Sequence, residues 1–216
     1  MALHIYLDII LVPLSLVLTI GYHSYLWYCF KNKPHLTTIG LNTLRRRMWA
    51  QSIIEDHDEK KGMLAVQSLR NFQMGSILAA AITVLLISSL AAITNNTYNA
   101  SHLFKDSYFG SQSFFTLVLK YGLQYILLVF GFLYSSLAVG CFVEVNFFMN
   151  ATDFSSEYIQ AMVERGFLFA FIGNRALYIT LPMLLWMFGP VPMALSSVAQ
   201  VWLLHELDFV VNGLKK

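Results

Sequence analysis

The acids and bases of this chain leave four long stretches empty. Residues 9–30, 71–104, 121–143 and 176–205 contain no Asp, Glu, Lys or Arg and are dominated by Leu, Ile, Val, Phe, Ala and Met. A hydrocarbon layer about 30 Å thick is crossed by roughly 20 apolar residues of helix, so each stretch has room for one crossing and none demands two. In lipid the backbone must satisfy its own hydrogen bonds, which makes helix the form for runs of this length. The sequence therefore predicts an all-α fold: an integral membrane four-helix bundle with additional cytosolic interfacial helices, a single membrane domain over residues 1–216. The predicted spans are about 5–30, 72–94, 115–143 and 176–204, joined by cytosolic segments at 31–71 and 144–175. The expected surroundings are the lipid bilayer, with no nucleic-acid partner.

Charged residues make up 12% of the chain, against about 25% in an ordinary soluble domain. The net charge of +2 hides an asymmetry, because eight of the fourteen Lys and Arg lie between residues 31 and 70. Bases resist translocation, so this segment is expected in the cytosol and the N-terminal end outside. The first apolar run lacks the basic residues that open a signal peptide and ends at Lys31 and Lys33, which predicts a retained span.

The fourth stretch is the hardest to place. Residues 166–204 would be roughly 58 Å of helix, so something must break them, and Gly173, Pro182, Gly189, Pro190 and Pro192 are the candidates. One kinked span over 176–204, leaving the C-terminal end outside, is the first expectation. Two segments meeting in a re-entrant turn at Gly189-Pro190-Val191-Pro192 are the alternative, and Lys215 and Lys216 favour an inside C-terminal end.

Between the spans, residues 41–54 read as an amphipathic helix, with Leu41, Leu44, Met48 and Trp49 at helical spacing around Arg45, Arg46 and Arg47. Such a helix can rest among headgroups with its arginines on anionic lipid; a solvated basic loop that only sets topology is the other reading. Residues 55–61, Glu-Asp-His-Asp-Glu-Lys-Lys, lack the spacing and glycine of a calcium loop, and a solvated turn is expected there. Residues 153–165 read as an interfacial helix that stops at Gly166.

Ionisable groups inside a span are functional candidates because they are costly there. His23 lies in the inner third of the first span, where it could relay a proton or simply hydrogen-bond a neighbouring helix. Asp8 and Lys120 sit at matching depth near the outer ends of their spans and are a candidate ion pair. No catalytic motif, metal constellation or phosphate loop is present, so no catalytic residue, metal or cofactor is assigned. Cys29 and Cys141 make no disulfide framework. Asn95-Asn96-Thr97, Asn99-Ala100-Ser101 and Asn150-Ala151-Thr152 are glycan acceptor triplets.

Three stretches carry a resemblance. Tyr6 to Pro13 leads into Gly21-Tyr22-His23; Leu64 to Asn71 precedes Met74-Gly75-Ser76; and Gly173-Asn174-Arg175 is followed by Leu181-Pro182, Leu185-Trp186 and Phe188-Gly189-Pro190. In this order and spacing they resemble the family catalogued as domain of unknown function 599, multi-pass membrane proteins of plants and bacteria. The resemblance implies an integral membrane protein of about four spans, from a plant, and carries no activity, substrate or cofactor. The matching polar residues His23, Gln67, Arg70, Asn71, Asn174 and Arg175 are expected to form one cluster at the inner leaflet. The expected role is that of a non-enzymatic accessory or assembly subunit engaging membrane proteins or anionic lipid. An oligomeric transporter or channel, built from a homo-oligomer, is the alternative.

Overall fold

The computed structural model describes residues 2–56, 59–99, 114–149 and 156–209. Among them the secondary structure is helical: α1 (Ala2–Asn32), α2 (Thr38–Asp56), α3 (Glu59–Asn99), α4 (Phe114–Phe148), α5 (Ser156–Leu185) and α6 (Pro190–Asp208), with short 3-10 turns at Pro34–Leu36 and Trp186–Phe188. Four helical segments are long and apolar enough to cross a membrane: Asp8–Asn32, Lys60–Asn96, Val118–Phe148 and Ser156–Phe188.

Long apolar helices cover the first three charge gaps; the fourth gap is divided between two helices. The helix expected to stop at Gly166 and restart near residue 176 runs unbroken as α5, through Gly166, Gly173 and Pro182. Both glycines serve close packing. A Cβ on Gly166 would lie 3.0 Å from the Phe142 ring, and one on Gly173 would lie 2.6 Å from Ser135 Oγ. The single span over 176–204 is therefore replaced by two helices that meet at Gly189. That residue has φ 133° and ψ 171°, a conformation open essentially to glycine alone. Pro190 then starts α6 at the position where its missing N–H costs nothing. α6 has 19 residues, about 28 Å of helix, close to the thickness of the hydrocarbon layer.

Two compact units are distinguished: one of residues 1–40, 85–128 and 178–216, the other of residues 41–84 and 129–177. In the first, α6 packs along α1. The Asp8 end of α1 meets Trp186, Val12 shares one buried core with Met183 and Met193, and Tyr22 donates to the Asp208 carboxylate. α6 thus runs parallel to α1. It ends beside the basic end of α1, where Phe209 bridges to Thr37 and the Thr38 hydroxyl donates to the Leu207 carbonyl at 2.9 Å. The end of α6 lies on the side of Lys31 and Lys33, opposite to the first expectation. Thr37 also caps α2, its hydroxyl accepting from the Gly40 N–H at 3.2 Å.

α1 is dressed inside out. Asp8, Val12, Ser15, Thr19, Tyr22, Leu26 and Cys29 are buried at alternating spacings of three and four, whereas Ile9, Ile10, Leu14, Val17 and Ile20 are exposed. A row of exposed branched aliphatics opposite a partly polar seam suits a hydrocarbon surround and would be costly in water. The seam hydroxyls bond within the helix, Ser15 to the Leu11 carbonyl and Thr19 to the Ser15 carbonyl, so burial leaves them satisfied.

In the second unit, Leu69, Ala138, Phe142, Val145, Ile159, Val163 and Phe167 form the core, with Trp49 of α2 packed against it. α4 and α5 are antiparallel here, because Phe142 meets Phe167 while Gly131 meets Ala176.

Candidate functional site

The second unit contains an open cleft of about 380 Å³ lined by Asn42, Arg45, Arg46, Trp49, Ser68, Phe72 and Phe167. Its construction follows from α2. Asn42, Arg46 and Trp49 recur at four and three residues and therefore share one helix face. That face packs on α3 and α5, where Phe72 and Phe167 meet edge to face at 4.7 Å. The Arg46 guanidinium carbon lies 3.7 Å from the Phe167 ring centroid and 5.6 Å from that of Phe72, a cation held on aromatic faces. Burial holds Arg46 below the usual arginine range, because a shell of rings solvates the charge less well than water.

The three consecutive arginines are divided among three environments. Arg47 Nε pairs with Glu164 Oε1 of α5 at 2.9 Å. Arg46 lies on the aromatic floor, and Arg45 stands exposed at the rim. Among the described residues neither Arg45 nor Arg46 has a carboxylate within ion-pair distance. The cleft offers two guanidiniums, an amide and a hydroxyl around an aromatic base, which is a donor set for an oxyanion.

The polar residues expected to cluster are distributed differently. Gln67, Arg70 and Asn71 are exposed on α3 and Asn174 is exposed on α5. Arg175 packs over Phe171, 4.6 Å from its centroid. The adjacent Ala176 meets Gly131, which in turn faces Thr83. Thr83 is 13 residues from Arg70, about 20 Å along α3, so Arg175 stands well above Arg70. His23 belongs to the first unit. Its Nδ1 donates to the Thr19 carbonyl one turn back at 2.8 Å, and its ring edge meets Tyr22. The acidic run at 55–61 has residues 57–58 outside the described ones, as are the triplet at Asn150 and most of the one that starts at Asn99.

The structure places Trp186 beside both Asp8 and Lys120, the residues expected to pair. Both side chains are buried, at 8% and 4% exposure. The Trp186 indole N–H donates to Asp8 Oδ1 at 3.4 Å, while the Lys120 ammonium stands 5.2 Å from the Trp186 ring centroid. One turn further on, fully buried Gln124 donates through Nε2 to the Met183 carbonyl at 2.8 Å, satisfying a carbonyl in the last turn of α5. Sequence reasoning passed over Trp186 as a connector because an indole in an apolar run reads as packing.

Asn42, Ser68, Phe72, Phe167 and Glu164 were also missed as companions of the arginines. The usable signal was the i, i+4 repeat of Asn42–Arg46 and Ser68–Phe72. Among the described residues no group of three or more His, Cys, Asp and Glu is placed to hold a metal ion.

No curated protein and no solved structure matches the chain. The model of the family described as "Protein of unknown function, DUF599" matches residues 10–212, nearly the whole sequence, and the chain belongs to that family.

Proposed function

We propose that this is a non-enzymatic accessory protein of a membrane that engages anionic lipid through α2 and the arginine cleft. The observation that carries the reading is the pair Arg45 and Arg46, two cations without a carboxylate partner among the described residues. They stand beside Ser68 and Phe72, which flank Arg70, the last charge before the gap at 71–104. That boundary is where a membrane-spanning helix passes through the headgroup layer. In the orientation that follows, the basic segment is cytosolic. α1, α3, α4 and α5 cross the bilayer, and α6 runs back along α1 so that its end lies on the cytosolic side beside Lys33.

The test is reconstitution into nanodiscs of rising anionic-lipid content. Thermal stability should rise with anionic lipid in the wild type and much less in R45Q/R46Q, and the difference should shrink at high salt. Equal stability in neutral and anionic discs would refute the reading.

The buried set Asp8, Trp186 and Lys120 favours a second reading, a small-solute transporter or channel formed by an oligomer, since buried ions in spans commonly mark transport paths. A symmetric homo-oligomer with solute flux in sealed vesicles, abolished by K120M, would establish it over the first.

A further inference from the structure

Resting on the anionic-lipid reading above, we infer that the cleft recognises one class of lipid: those ending in a phosphomonoester, such as phosphatidic acid. The argument begins with charge count. Two guanidiniums face the cleft. A phosphomonoester carries about −1.5 to −2 charges at neutral pH and three free oxygens, whereas a phosphodiester carries about one charge and two free oxygens. Arg45 and Arg46 together match the monoester and overcompensate the diester. The Asn42 amide and the Ser68 hydroxyl supply the further donors that a third oxygen takes up. Arginine suits this role because its planar fork meets phosphate oxygens in pairs.

Placement commits the ligand to the bilayer. At 100° per residue, Arg45 lies on α2 between two edges. On one side are Leu44 and Met48, large apolar side chains that the fold leaves 48% and 61% exposed. On the other are Asn42, Arg46 and Trp49, which turn toward the cleft. A headgroup held by Arg45 and Arg46 would therefore leave its acyl chains running over Leu44 and Met48, whereas a soluble phosphate would leave that row bare to water. The aromatic base of Phe167 and Phe72 holds Arg46, while Glu164 is engaged by Arg47.

The test uses the full chain purified in neutral detergent and native mass spectrometry with added lipid. Wild type should retain phosphatidic acid about tenfold better than phosphatidylglycerol of the same acyl chains. Both R45Q/R46Q and S68A should reduce that preference, the double variant to near unity. Arg46 also packs on Phe167, so a melting curve accompanies each variant. R45Q alone, at the exposed rim, serves where the double variant fails to fold and should lose several-fold.

Equal retention of the two lipids, with both lost in R45Q/R46Q, would overturn the monoester assignment and leave the anionic-lipid reading intact. Retention of both at the level of phosphatidylcholine would overturn the two together. Displacement of bound phosphatidic acid by an equal concentration of inorganic phosphate would overturn the lipid source. Undiminished preference in a folded R45Q/R46Q would overturn the site.

Discussion

The Asp8–Lys120 pair invites a double-mutant cycle, because the structure bounds its strength. The ammonium lies 5.2 Å from the Trp186 ring centroid, and the indole nitrogen lies 3.4 Å from the carboxylate. The two charges are thus at most about 10 Å apart, which at an effective dielectric constant of 20 gives at least about 1.7 kcal/mol of attraction. K120M removes the cation near a carboxylate that is 8% exposed and accepts from the Trp186 indole; where the two charges pair, breaking a buried pair in this way costs about 3–5 kcal/mol. D8N leaves the ammonium in the same position and should cost a similar amount. In D8N/K120M no charge remains to be solvated, so the double variant should be more stable than the sum of the singles by about 2 kcal/mol or more. Unfolding of the purified protein in mixed micelles on titration with sodium dodecyl sulfate, read by tryptophan fluorescence, measures all four proteins. Additivity within about 0.5 kcal/mol, the ordinary scatter for independent sites, would show that the charges do not interact and that the pair is a coincidence of position.

Other consequences are as direct. Gly189→Ala should destabilise by about 1–3 kcal/mol, because its φ of 133° suits no other residue, and a protease-sensitive junction between α5 and α6 should appear; an unchanged melt would refute the turn. Gly173→Ala should cost about 1–3 kcal/mol by overpacking, since its Cβ would meet the Ser135 backbone nitrogen at 3.1 Å. Gly140→Ala, with nothing within 4 Å of its Cβ, should stay within about 0.5 kcal/mol of wild type, and equal losses at the two sites would contradict the packing. In a background lacking Cys29 and Cys141, K33C and E206C should react with an impermeant thiol reagent from the same side of sealed vesicles. Labelling from opposite sides would overturn the return of α6.

What could be read from the sequence follows the range of the signal. Ion-free runs report the solvent of a helix, and three of the long apolar helices were legible from them. The same signal was blind to the fourth boundary, because 176–205 is ion-free on both sides of Gly189 and a turn within an apolar layer changes no charge. The Gly-Pro dipeptide was one of five candidate breaks and the turn of the alternative expectation, and nothing in the ion-free run favoured it over the others. Gly166 and Gly173 show why composition could not choose: both lie in α5, where a neighbouring helix comes too close for a side chain, and that neighbour is distant in sequence. Likewise Arg45, Arg46 and Arg47 were legible as a basic group, but their separate environments depend on Glu164 and Phe167, more than a hundred residues away. The expected polar cluster paired residues by their nearness to span ends. Helix α5 runs from Ser156 to Leu185, so Arg175 sits well inside the helix and not at its start.

The half-polar seam of α1 has a consequence for how the chain is made. Asp8, Ser15, Thr19 and Tyr22 are shielded in large part by Trp186 and α6, which the ribosome delivers more than 150 residues later. Until then the first helix stands in the bilayer with that row unsheltered. Its insertion is provisional, completed only when the last helix arrives, and a nascent chain stalled before Gly189 is a natural client for whatever machinery retains or removes unfinished helices.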